Sequence, residues 1–508
     1  MAFKNLSILV KVGTIEKSVD RLLYEVVWGW YADTLNKAII IVTFLSQHIL
    51  QVSFLIEENV SILFNEKIKL QLFIITIHFE FSMGHLTVRS GYKTLVERIN
   101  RFPQGAAPTP TLFKILQLLM TEKEAEYVSL LPIKPFKIAT AANAWRMSIT
   151  ETQGLIETLA SRGILLDVED LNGEMEYSLP PPMAGFFEFS LMRIRNDIDQ
   201  KVLSELFYQY MNVEEDFIKD LFCEGETRLG RTFIYEPAIP KTLALHVLDH
   251  ERATEVINKA THRAVGVCYC RHKMSHVGKA CDAPLDICMT FNSTAESLIR
   301  HKIGRSVDVS ECMDLLHQAY DCNLVQIGEN GREDVNFICN CCGCCCEAML
   351  AAKRFAILTP MQTTNYLPVV MGDQCTGCAK CIDVCPVEAM GLVNAGDPHK
   401  PKRKKARINE DICLGCGLCL KNCPKNAMTM KERKNRVITP LNSAHKAVMM
   451  AIERGMLQNL IFDNRTLWNH RAMAAVFGVI LSLPPVKKAM ASRQIKSRYM
   501  EWLIQKRK

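Results

Sequence analysis

The spacing C-x2-C-x2-C-x3-C-P occurs twice between Cys375 and Pro424, and no other feature of this 508-residue chain restricts its fold so tightly. The first copy is Cys375, Cys378, Cys381, Cys385 and Pro386; the second is Cys413, Cys416, Cys419, Cys423 and Pro424. A tight C-x2-C-x2-C loop turns three thiolates toward one cubane iron–sulfur core while its amides face the sulfurs, and the fourth thiolate comes from elsewhere. In a doubled motif the distant cysteine of each copy serves the other copy's cluster. The spacing therefore predicts one cluster on Cys375, Cys378, Cys381 and Cys423, and a second on Cys413, Cys416, Cys419 and Cys385. Zinc and disulfides are the competing readings. Zinc sites usually pair two C-x2-C units, and no secretory signal points to an oxidising compartment.

The two halves also echo each other beyond the cysteines, Cys-Pro-Val-Glu-Ala-Met from Cys385 against Cys-Pro-Lys-Asn-Ala-Met from Cys423. Residues 366–431 thus resemble the bacterial-type two-[4Fe-4S] ferredoxin domain, which implies two [4Fe-4S] clusters and a ferredoxin-like dicluster fold. The departure is a lengthened loop between the halves, 394–407, carrying Lys400, Lys402, Arg403, Lys404 and Lys405.

A second cysteine-rich stretch, 263–360, is expected to form an α/β metal domain. Residues 264–270 read as a buried strand whose alternation puts Cys268 and Cys270 on one face. Residues 324–328 and 335–341 read as a hairpin around Asn330-Gly331, with Cys339 and Cys341 sharing a face. Cys281 and Cys288 lie between, and Cys342, Cys344, Cys345 and Cys346 follow at once, leading into a helix from Glu347. Ten thiols so placed point to a further metal centre, which His272 and His276 can join; iron–sulfur is preferred to zinc because the downstream motifs are cluster motifs. The Cys-Tyr-Cys-Arg-His and Cys-Asn-Cys-Cys-Gly-Cys-Cys-Cys runs resemble those of uncharacterised iron–sulfur proteins of anaerobic bacteria, a resemblance that implies no activity. Cys223, Cys312 and Cys322 stand alone and are expected to be core thiols.

The expected fold class is α+β and multidomain. Residues 1–82 lack proline and cysteine and are rich in Ile, Leu, Val and Phe; the run 38–56 has the length of a membrane span but is interrupted by Gln47, His48 and Gln51, and Met83 is an alternative start. Within 103–182, Leu112, Ile115, Leu116 and Leu119 have helical spacing, Ser148 with Glu151 makes a capping box, Gly163 suits a helix end, and strands at 164–168 and 174–179 flank Asn172-Gly173. Helices followed by a hairpin resemble a winged helix. Its last helix is read as showing Glu151, Thr152, Glu157 and Thr158 outward with Arg162 the only nearby cation, which disfavours nucleic acid because phosphate contact needs Lys and Arg. Residues 183–262 are expected to be a helical connector, with one helix over 186–210 and Asn212 capping the next. Residues 441–508 are expected to be a helical, basic C-terminal region, with Met473, Val476, Phe477 and Ile480 on an apolar helix and Lys496, Arg498, Lys506, Arg507 and Lys508 beside Trp502.

Net charge is +7, concentrated from Asn394 onward, and 21 cysteines with none before Cys223 fit a reducing cytoplasm with bound metal. The chain is therefore expected to be a cytoplasmic electron-transfer protein with a separate redox partner protein; membrane contact is not favoured. The alternatives are a redox- or oxygen-sensing winged-helix regulator and an iron–sulfur oxidoreductase. No G-x-G-x-x-G follows a strand, so no flavin or nicotinamide site is expected.

Overall fold

The computed structural model describes residues 90–170, 172–239, 247–355, 357–437 and 439–463, with Met473, Ala474 and Gly478. The chain divides into Met1–Val88 and Arg89–Lys508. The readings made for 1–82, for the alternative start at Met83 and for the basic tail fall outside the described residues, as does most of the apolar helix at 473–480. Among the described residues no helix is long and apolar enough to cross a membrane.

Five helices lead: α1 (Gly91–Ile99), α2 (Pro110–Leu119), α3 (Glu122–Ser129), α4 (Ile138–Trp145) and α5 (Ile149–Ser161). Their starts are written locally. Thr109 accepts from Leu112 N ahead of Pro110, and Thr121 with Glu124 and Ser148 with Glu151 form capping boxes. Leu112, Ile115, Leu116 and Leu119 are buried along one face of α2, as their spacing predicts. Gly163, at φ 76°, ends α5, and a Cβ there would meet Phe189 Cβ at 2.8 Å. Strands β1 (Leu166–Glu169) and β2 (Met175–Ser178) then pair antiparallel. Thr152, expected outward, is instead fully buried, because its hydroxyl bonds back to Ser148 O at 2.8 Å.

The connector is more broken than its composition suggests. The helix expected over 186–210 is interrupted: 190–199 is irregular, and Asp199 caps a fresh helix, α6 (Gln200–Tyr208), by accepting from Lys201 N and Val202 N. Asn212 caps nothing. It is buried and donates to Glu347 Oε2 at 2.7 Å, and α7 (Asp216–Cys223) starts four residues later.

Next come β3 (Gly230–Thr232), α8 (Ala253–Lys259), β4 (Arg263–Val267), α9 (Tyr269–His276), β5 (Asp286–Phe291), α10 (Asn292–Arg300), β6 (Arg305–Ser306), α11 (Val309–Asp321), β7 (Val325–Glu329), β8 (Phe337–Cys341) and α12 (Glu347–Arg354). The strands form one six-stranded sheet, ordered β3-β7-β8-β5-β4-β6, antiparallel at every pairing. Strand β3 is drawn into this sheet from the connector. The β1–β2 hairpin packs on α10: Ser297 Oγ donates to Asp167 Oδ1 at 2.6 Å, and Arg300 and His301 reach Asp167 Oδ2 at 2.9 and 3.0 Å. Burial opposes the charge on Asp167, but the bonds from His301, Ser297 and Arg300 outweigh it and hold the carboxyl below its usual range.

The remaining elements are β9 (Tyr366–Val370), α13 (Lys380–Asp383), β10 (Met390–Asn394), β11 (Lys404–Ile408), α14 (Leu418–Lys421), β12 (Met428–Glu432), α15 (Ser443–Arg454) and α16 (Leu457–Ile461). Two antiparallel pairs, β9–β12 and β10–β11, bracket the short helices α13 and α14. This part is stitched to the sheet. Thr232 N donates to Gln362 O and Gln362 N to Gly230 O, both at 2.9 Å; Tyr235 N donates to Cys416 O at 2.8 Å. Helix α15 returns to the sheet, where Lys446 meets Glu329 at 2.6 Å, and Arg332 N donates to Pro440 O at 3.0 Å.

Candidate metal centres

The two C-x2-C-x2-C loops need left-handed backbone to fold their sulfurs inward. Gly377, Ala379, Gly415 and Gly417 supply it, at φ 69°, 66°, 75° and 89°. At Gly415 a Cβ would lie 2.2 Å from Tyr366 O, so no larger residue fits there. Each loop closes around a void. Cys375, Cys378, Cys381 and Cys423 line one of about 330 Å³, and Cys413, Cys416, Cys419 and Cys385 line the other, of about 350 Å³, both volumes including the open mouth.

Backbone amides point at these sulfurs, as Ala406 N does at Cys375 Sγ (3.3 Å), Ala389 N at Cys385 Sγ (3.2 Å) and Ala427 N at Cys423 Sγ (3.2 Å). The surroundings are otherwise apolar. Burial pushes the Cys381 thiol up to about 11 and that of Cys416 up to about 12. Four thiolates in such a hole require a cationic core between them, so both voids fit an iron–sulfur group. The first lies nearer solvent, through exposed Cys378, beside exposed Lys380, Lys404 and Lys425. Arg403 ties the basic loop down by donating to Gly372 O, Asp373 O and Cys375 O.

The ten central cysteines are brought into one region, but not in the local form expected. Strand β4 stops at Val267; Cys268 is the N-cap of α9 and Cys270 lies in its first turn. An apolar run of this length does not distinguish strand from helix, and Arg271 to His276 continue as helix. Cys288 is on β5, and Cys339 and Cys341 are on β8, where Cys339 faces Ile327 and Cys341 faces Val325 across the hairpin with β7. Cys342, Cys344 and Cys345 form the turn after β8, and Cys346 is the N-cap of α12.

These thiols separate into two groups. Cys281, Cys342, Cys344 and Cys345 hold their sulfurs within 4.8 Å of one another. The other six are neighbours in turn: Cys288 beside Cys339, Cys339 beside Cys341, Cys341 and Cys270 beside Cys346, and Cys268 beside Cys288. The neighbouring Cys270 and Cys341 thiols, with Ala348 N and Met349 N at the start of α12, hold the Cys346 sulfur as the acidic member. Cys268, Cys270, Cys339 and Glu188 are half-buried, whereas Cys288, Cys341 and Cys346 are buried. Burial pushes the Glu188 carboxyl up to about 7, helped by Cys346 and Glu347.

His272 and His276 do not join the sulfurs. His272 Nδ1 bonds Leu191 O at 2.8 Å, and the two Nε2 atoms lie 3.2 Å apart. Cys312 is a core thiol, packed against Met289 Sδ at 3.8 Å, but Cys223 and Cys322, expected to be core, are exposed at helix ends.

Other contributors carry no motif. Lys273, wholly buried, pairs with Glu347 and Asn212, and Glu347 directly follows Cys346. Arg271, 1% exposed, donates to Pro284 O at 2.6 Å and Asn340 O at 2.5 Å, with its guanidinium beside Cys268 and Cys342. Gly343 sits against Pro386, where a Cβ would meet the proline's O and Cα at 3.0 and 3.1 Å. The central turn therefore abuts the residue after Cys385.

Residues 374–436 match the family model for the 4Fe-4S dicluster domain. No curated protein matches the chain.

Proposed function

We propose that this chain, which carries an iron–sulfur domain over residues 374–436, is an electron-transfer protein with three centres in series. Two [4Fe-4S] clusters occupy the voids of Cys375, Cys378, Cys381 and Cys423 and of Cys413, Cys416, Cys419 and Cys385. A third cysteine-ligated centre is held among Cys268, Cys270, Cys288, Cys339, Cys341 and Cys346. The observation that carries this reading is the Gly343–Pro386 contact, which puts the second void directly against the central block. Cys288, Cys341, Cys346 and Cys413 also share one apolar core, while Cys375, Cys381 and Cys419 belong to another. That order makes the solvent-facing first cluster the entry, the second the link, and the central centre the terminus. Bound clusters supply one-electron steps without bond breaking; the chain supplies insulation and fixed spacing.

The test is to replace all eight ferredoxin-type cysteines with serine and assay iron and acid-labile sulfide under argon. Iron with sulfide retained in the folded variant is the expected result. A folded protein with neither would reduce the central thiols to a cysteine-rich core.

The redox partner is proposed to be an acidic protein docking on the lysines around Cys378, in a reducing cytoplasm. Lys380→Glu, Lys404→Glu and Lys425→Glu combined should slow reduction by an acidic donor about tenfold at low ionic strength, and flatten the salt dependence, with iron content unchanged. An unaltered rate in stopped-flow would move the docking site elsewhere. Nucleic acid is not proposed as a partner, since the β1–β2 hairpin is engaged by α10 and Arg162 is paired with Glu124.

A further inference from the structure

We infer that Cys281, Cys342, Cys344 and Cys345 form a separate site for one tetrahedral metal ion, distinct from any cluster. The distances carry the argument. Cys281 Sγ to Cys342 Sγ is 3.7 Å, Cys344 Sγ to Cys345 Sγ is 3.7 Å, and Cys345 Sγ to Cys281 Sγ is 3.9 Å. A tetrahedral ion with metal–sulfur bonds of about 2.3 Å sets its sulfurs about 3.8 Å apart. A four-iron cluster attaches each thiolate to a different iron around a body wider than one ion, so its thiolates stand farther apart.

The same molecule supplies the contrast. The eight ferredoxin-type cysteines surround voids of about 330 and 350 Å³. Among the described residues, only the Cys281 group gathers three or more thiol, imidazole or carboxylate ligands within reach of one ion.

The surroundings suit a structural ion. Cys281 lies on 277–285, a stretch without helix or strand between α9 and β5, and the other three thiols lie on the turn between β8 and α12. A four-thiolate ion would staple that irregular stretch to the sheet. Four thiolates around a divalent ion leave two negative charges, and the buried Arg271 guanidinium stands beside Cys342 to offset them. Arg271 also holds both arms, through Pro284 O and Asn340 O. Four sulfurs with no open position select zinc, or a single iron, over harder cations.

The experiment uses the full chain purified anaerobically. Zinc, iron and acid-labile sulfide are measured for the unaltered protein and for Cys281→Ser with Cys345→Ser. About one zinc per chain, or about one iron without matching sulfide, should be present and should fall at least tenfold in the double variant while the cluster iron and sulfide stay. Loss of several irons with sulfide would make the quartet part of a cluster, and no loss of any metal would leave it as four thiols; either result overturns the inference. Should the variant fail to fold, X-ray absorption at the zinc and iron edges of the unaltered protein decides. Zinc with four sulfurs at about 2.3 Å supports the site. So does a single iron in an all-sulfur shell without an iron neighbour, and absence of both overturns it.

Discussion

Cys385→Ala is expected to abolish the cluster proposed on Cys413, Cys416 and Cys419 and to leave the one proposed on Cys375, Cys378 and Cys381 in place. Cys385 belongs in sequence to the first motif, but its sulfur lines the second void with Cys413, Cys416 and Cys419. Alanine there opens one coordination position on that cluster and none on the other. Iron bound by residues 374–436 should fall by about half. In EPR of the reduced protein, magnetic interaction between two neighbouring clusters should give way to the signal of one. Cys423→Ala should do the converse. Spectral loss confined to the cluster on Cys375 after Cys385→Ala would refute the crossed assignment.

The second large effect is expected away from any sulfur. Lys273 and Glu347 form an ion pair with side chains 0% and 4% exposed. Lys273→Met removes the cation and strands the carboxylate without water, an arrangement that costs about 3–5 kcal/mol. Glu347 opens α12 immediately after Cys346, so metal at the proposed central centre should loosen as well. Denaturant unfolding under argon measures the first effect and iron retention the second. The double variant Lys273→Met with Glu347→Leu should recover most of the loss, because the penalty lies in the unpaired charge. A single-variant change below about 1 kcal/mol would mean that water or another group rescues Glu347.

What could be read before the structure was whatever the chain writes locally. The doubled cysteine spacing, the Ser148–Glu151 capping box, the face of α2 and the hairpins at Asn172-Gly173 and after Leu324 all rest on residues a few positions apart. The capture of Asn212 by Lys273 and Glu347, and the recruitment of β3 to the sheet, depend on partners far along the chain. Thr152 was misread because a back-bonding threonine can turn into the core. The central thiols show both limits at once. Their number pointed to metal chemistry, but their division into a tight four and a looser six is set by how the loop at 277–285, the N-termini of α9 and α12, and strands β5 and β8 converge.

The stitching around residues 362–440 bears on speed. A carrier domain hung on a flexible linker must swing between donor and acceptor, so its turnover is gated by rotation. Here bonds from both Gly230 and Thr232 to Gln362, from Tyr235 to Cys416, from Asn422 to Asn323 and from Arg332 to Pro440 fasten the unit at entry, middle and exit. For the centres proposed above these bonds fix the intervals, so internal transfer would proceed by tunnelling at constant distance, with viscosity of the medium affecting only the encounter with a proposed external donor.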